Sequence, residues 1–209
     1  MKTLPSELSI REFLAAVASA EEAHGAVSAA AVAGGIGVSL LAMVAALPKT
    51  RSDSAADRIA LLNAVTALTD VQEQLIETIE TETAVKIFAA RNMPQASDAQ
   101  RADRQAAIQI ALRAAADVPL EVMRLALRAL KLAETVAAHG VRAASADVQL
   151  GVALLHAAFS GARANLEGKL SSLTDAPYVT SVVDELAKLS EDSTTAMRAA
   201  ESFLQVPPA

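Results

Sequence analysis

Apolar residues recur at helical spacing along almost the whole chain. Ser9, with Glu12 three residues on, forms a capping box ahead of the stripe Ile10, Phe13, Leu14 and Val17, so a first helix is expected from Ser9. The stripe fades at Glu21 and Glu22, and His24 and Gly25 break it. A charge-free stretch then predicts a helix over about 28–47. Pro48, Lys49, Thr50, Arg51 and Ser52 make a polar connection, and Asp53 or Ser54 is the next cap. Leu62, Val65, Leu68, Leu75, Ile79 and Ile87 predict one long helix to about Arg91, closed by Asn92, Met93 and Pro94.

Ser97 or Asp98 caps a fourth helix, expected to end near Ala116 because Asp117, Val118 and Pro119 read as a boundary. A fifth helix, about 120–138, is expected to close on Gly140 as a left-handed cap. A sixth, from Ala146 or Asp147 to about Leu170, holds Gly151 and Gly161, which point to close packing or a pocket. The last, about 177–204, carries the seam Val179, Val182, Val183, Leu186, Leu189, Met197, Ala200 and Leu204, facing the bundle or a second subunit. No alternating strand pattern occurs. The expectation is an all-α bundle of about seven helices in one domain spanning 1–209.

Composition narrows the chemistry. Close to a quarter of the residues are alanine, the best helix former. The absence of cysteine removes thiol catalysis, disulfides and cysteine-zinc sites. A net charge of −6 argues against a nucleic-acid partner, and 2% aromatic residues argue against base-stacking platforms. The charge-free stretch is long enough to span a bilayer, but Ala, Gly and Ser dominate it and no basic cluster or aromatic belt precedes it. A helix buried on all sides of a bundle is therefore expected, with no membrane partner. The polar N-terminus lacks a signal-peptide core, so a cytoplasmic location is expected.

Few residues suggest a site. His24, His139 and His156 lack metal-ligand spacing, and no metal is expected. His139 is expected beside a helix C-terminus and His156 in the core. Asp147, near the start of an apolar helix, is either a cap or a pocket carboxylate suited to proton transfer. Glu80 and Glu82 point to different helix faces, so one of them can turn inward, although a run of acids like this more often forms a solvated face. Asn165 interrupts an apolar face and reads as a buried amide that fixes a ligand, whereas Arg163 and Lys169 read as surface residues. Gly25 and Ser28, at a helix mouth, form a weak anion-binding signal.

Taken in order, residues from about Ile10 to Leu170 resemble the cyclodeaminase/cyclohydrolase family, which includes formimidoyltetrahydrofolate cyclodeaminase and methenyltetrahydrofolate cyclohydrolase. The likeness rests on the small-residue helix with Gly34, Gly37, Met43 and Val44, the acid position held by Glu80, and Val118-Pro119. It rests also on Asp147 and on Ser160-Gly161-Ala162-Arg163-Ala164-Asn165. The family's loop glycines are replaced by Ala26 and Val27, two loop asparagines by Val141 and Ala143, the serine before the aspartate by Ala146, and an aromatic by Ala84.

The resemblance implies a helical homodimer that binds a tetrahydrofolate derivative as substrate between helices, with no permanently bound cofactor and no metal. It implies Asp147 as catalytic acid/base, with Glu80 assisting. It places Gly25, Ser28 and Asn165 in the folate cleft, and Lys49 or Arg51 on the glutamate carboxylates. The departures leave a second reading open, a non-catalytic paralogue that binds a ligand or a partner protein.

Overall fold

The computed structural model describes residues 5–19, 25–79 and 83–204. Those residues form seven α-helices: α1 (Ile10–Ala18), α2 (Ala26–Ala46), α3 (Ala55–Ile79), α4 (Thr83–Arg91), α5 (Asp98–His139), α6 (Ser145–Leu170) and α7 (Ala176–Leu204). The Ser9 box is present: the Ser9 hydroxyl accepts from the Glu12 amide at 3.3 Å, and the Ser9 amide donates to the Glu12 carboxylate at 2.8 Å. Ser54 caps α3, its hydroxyl accepting from the Asp57 amide at 3.0 Å.

The helix total matches the sequence expectation, but the helices are divided differently. The predicted third helix is described as α3 and α4, and residues 80–82 between them lie outside the described residues. The predicted fourth and fifth are one helix of 42 residues that runs through Pro119. Proline removes one helical hydrogen bond and crowds the preceding turn, at a cost of about 3 kcal/mol. Packing offsets that cost. Ala111, Ala115, Ala116, Pro119, Leu120 and Met123 continue one buried stripe across the proline, so a break would expose apolar surface on both sides of it.

Small residues set the centre of the bundle. A Cβ on Gly37 would lie 2.8 Å from the Gly151 carbonyl oxygen, and one on Gly34 3.3 Å from the Ala158 methyl. Gly161 faces the Ala30 methyl at a looser 3.6 Å. Residues 30, 34 and 37 thus meet 161, 158 and 154–151, so α2 and α6 run antiparallel with their backbones nearly touching. Asp70 pairs with Arg128 at 2.6 Å, joining α3 to α5. Bonds from Asp117 to Tyr178 (2.6 Å), Arg124 to Glu185 (2.7 Å) and Lys131 to Asp192 (2.8 Å) fasten α7 parallel to α5. Leu41, Leu61, Leu68, Leu75, Met123, Leu130, Leu155 and Leu166 fill the space between helices.

Four local expectations are corrected. Gly140 is not left-handed (φ −67°, ψ 154°). Glycine suits it because a Cβ would lie 2.5 Å from the Val136 carbonyl oxygen. The charge-free α2 is buried on one side only, with Ile36 51% and Met43 47% exposed. His156 is exposed rather than a core residue, because it sits on the side of α6 turned away from its neighbours. Lys169 is half-buried, and that burial lowers its pKa.

Candidate functional site

Asp147 stands in the first turn of α6, whose N-cap is Ala144. It is therefore not the cap. Its side chain is half-buried, and no hydrogen bond or ion pair ties its carboxylate to another described residue. The stripe 147, 151, 154, 158, 161, 165 alternates steps of four and three, the spacing of one helix face. Gly151, Leu154, Ala158 and Gly161 of that stripe meet α2. Asp147 and Asn165 thus sit at the two ends of the α2–α6 contact, and eighteen helical residues separate them by about 27 Å.

The nominated residues divide between these ends. Gly25 and Ser28 open α2 and share the Asn165 end. Gly25 is an exposed, extended N-cap (φ −97°, ψ −160°) with nothing within 4 Å of an added Cβ. Ser28 is half-buried. The Asn165 side-chain oxygen is buried and has no hydrogen-bond partner, which leaves an acceptor for a ligand. Of the two residues that replace loop glycines, Ala26 is exposed and Val27 packs on the core. Glu80, Glu82 and His24 lie outside the described residues.

Lys49 and Arg51 share the Asp147 end. Backbone bonding anchors their segment: Thr50 bridges Gly140, and the Arg51 amide donates to the His139 carbonyl at 2.8 Å. The Arg51 Nε is buried without an acceptor. Burial lowers the Arg51 pKa, the nearby Arg142 guanidinium lowers it further, and Asp57 works against both. Two crowded guanidinium groups and an unpaired donor favour an incoming anion.

A carboxylate clamp holds this end together. Asp57 accepts from the Ser52 hydroxyl at 2.5 Å and meets His139 Nδ1 at 2.8 Å. The Ser52 bond holds the Asp57 carboxyl below the usual range; burial opposes it, and His139 and Ser54 add to it. Arg58 donates to the Leu47 and Ala45 carbonyls at 2.6 and 3.3 Å, satisfying the C-terminus of α2. His139 does end a helix, as its place in the sequence suggests.

A cleft of about 480 Å³ lies between α3 and α5, lined by Gln74, Glu77, Thr78, Ala114, Asp117, Val118, Glu121 and Arg124. None of the six nominated residues that are described lines it. Its walls are already paired: Arg124 with Glu121 and Glu185, and Asp117 with Tyr178. No spacing in the sequence marks this cleft, because it depends on α5 continuing through Pro119.

A sequence model of the family described as formiminotransferase-cyclodeaminase matches residues 9–188. The chain is 30% identical over 183 residues to a methenyltetrahydrofolate cyclohydrolase of Methylorubrum extorquens, covering 86% of this chain and 88% of that protein. It is 25% identical over 183 residues to a formimidoyltransferase-cyclodeaminase of Gallus gallus, covering 87% of this chain but 34% of that longer protein. The crystal structure of a formiminotetrahydrofolate cyclodeaminase from Thermotoga maritima shares the fold, with a TM-score of 0.84 over 95% of this chain and 96% of that one at 22% identity. The chain belongs to the formiminotransferase-cyclodeaminase family.

Proposed function

We propose that this protein is a folate-dependent one-carbon enzyme, a methenyltetrahydrofolate cyclohydrolase or a formimidoyltetrahydrofolate cyclodeaminase. The observation that carries the reading is Asp147: a half-buried carboxylate, bonded to no described residue, at the same end of the bundle as Lys49 and Arg51. A carboxylate free of structural partners is available to move protons.

In the hydrolytic direction, water attacks the methenyl carbon between the two folate nitrogens. Asp147 takes a proton from that water and returns one to the departing nitrogen. One carbon–nitrogen bond breaks, and a formyl group remains on the other nitrogen. In the cyclodeaminase direction, the folate nitrogen that does not carry the formimidoyl group attacks its carbon, and the same carboxylate delivers a proton to the nitrogen that leaves as ammonia. Lys49 and Arg51 bind the glutamate carboxylates, with the unpaired Arg51 Nε as one donor. Gly25, Ser28 and the unpaired amide oxygen of Asn165, about 27 Å from Asp147 in the same chain, reach the pterin side only across the subunit interface of a homodimer, and Glu80 assists proton transfer. The enzyme works as a cytoplasmic homodimer with no resident cofactor, metal, membrane or nucleic-acid partner.

The decay of methenyltetrahydrofolate absorbance tests the reading. Purified protein should accelerate it over buffer. No acceleration, with formimidoyltetrahydrofolate also unchanged, would leave the non-catalytic paralogue in its place.

A further inference from the structure

Arg51 is held where it gains little. No described residue accepts from its guanidinium, its Nε is buried without an acceptor, and the Arg142 guanidinium is near enough to repel it. The backbone beside it is strained as well. Asp53, two residues on, has φ 53° and is the one non-glycine residue in the left-handed region among the described residues. Such features persist only where the surrounding structure over-determines them.

Asp57 and His139 supply the constraint. The His139 carbonyl accepts from the Arg51 amide at 2.8 Å. The His139 ring meets Asp57 Oδ1 through Nδ1, also at 2.8 Å. Asp57 Oδ2 accepts from the Ser52 hydroxyl at 2.5 Å and from the Ser52 amide at 3.3 Å. Arg51 and Ser52 share a peptide bond, so the four residues close a ring. It ties the α2–α3 connection to the first turn of α3 and to the last residue of α5. Both Asp57 oxygens are engaged, and no ion pair joins Asp57 to Arg51. Its charge offsets part of the repulsion from Arg142 while the guanidinium stays open.

We propose that Asp57 and His139 are positioning residues: through this ring they hold the Arg51 guanidinium, unpaired, at the Asp147 end of the bundle to receive the glutamate carboxylates of the folate. The inference rests on the folate reading above. Neither residue touches substrate; both act through Arg51. A donor fixed in advance does not have to be ordered when the substrate arrives, which favours binding.

His139→Ala removes the Nδ1 donor and keeps the backbone carbonyl. It should raise the KM for methenyltetrahydrofolate about five-fold, with kcat little changed. His139→Asn, whose amide nitrogen stands near the place of Nδ1, should restore most of the affinity. In an Arg51→Ala background, His139→Ala should change KM by less than about two-fold, because residues that act through one group do not add. Ser52→Ala alters an exposed side chain, so folding should be retained, and it should reproduce the rise in KM.

Limited trypsin digestion reads the segment without any folate. Cleavage after Arg51 should be about five-fold faster in His139→Ala and Ser52→Ala than in the wild type, with cleavage elsewhere unchanged, because the bond is cut only when the segment leaves its ring. Additive KM effects in the double variant, an unchanged KM in His139→Ala and Ser52→Ala, no rescue by His139→Asn, or unchanged cleavage after Arg51 would each overturn the positioning role. Faster cleavage in a protein that acts on neither folate would overturn the folate reading and leave the ring standing.

Discussion

Gly37 of α2 and Gly151 of α6 face each other so closely that neither tolerates a side chain without movement: an added Cβ would lie 2.8 Å from the opposing carbonyl oxygen in one direction and 3.1 Å in the other. The contact sets how near the two helices lie, and it sets the register that places Asp147 and Asn165 at opposite ends.

Gly37→Ala should therefore destabilise the fold by about 1–3 kcal/mol, since the clash is with backbone and exceeds the helix-propensity gain. Gly168→Ala, where an added Cβ meets nothing within 4 Å, should stabilise by up to about 1 kcal/mol. Urea unfolding midpoints check both.

Asp57 carries a pH prediction. Its folded pKa is depressed, first by the Ser52 hydroxyl, so its contribution to stability is present above the unfolded carboxylate value and is lost as pH falls through the lower folded value. Stability should drop as pH goes from about 5 to about 3. Asp57→Asn should be less stable at neutral pH and should show a shallower acid slope. Thermal melts of both proteins across that range give the comparison; parallel slopes would contradict it.

Arg51→Ala should raise the KM for the folate about ten-fold or more, the loss expected for a charge-assisted hydrogen bond, with kcat little changed. The effect should grow with the number of glutamates on the folate tail. Steady-state kinetics on mono- and polyglutamylated substrate read it directly.

Much of the fold was legible in local patterns. The Ser9 capping box and the Ser54 cap follow from side chains that act within one turn, and the ends of α2, α6 and α7 fall close to where the apolar pattern starts and stops. Pro119 was misread because its local cost is offset by burial on both sides, which no window of sequence records. Alternating small residues in α2 and α6 announced close packing, and the structure realises it at Gly37–Gly151. What sequence could not give was the placement of the site residues. Lys49, Arg51 and Asp147 share one end of the bundle only because α2 and α6 are antiparallel, and that same arrangement carries Asn165 away from Asp147. The Asp57–His139 bond joins residues 82 positions apart, beyond any spacing rule, and the one-sided burial of α2 is invisible in a helix that is apolar all round.

Asp147 is the centre of the account, and Asp147→Asn tests it most directly. Asparagine keeps the shape and removes the proton acceptor, so the rate of methenyltetrahydrofolate hydrolysis should fall by about 10²–10⁴, with the helical circular-dichroism signal and the substrate Kd little altered. A variant that hydrolyses the substrate as fast as the wild type would contradict the assignment of the reaction to this carboxylate.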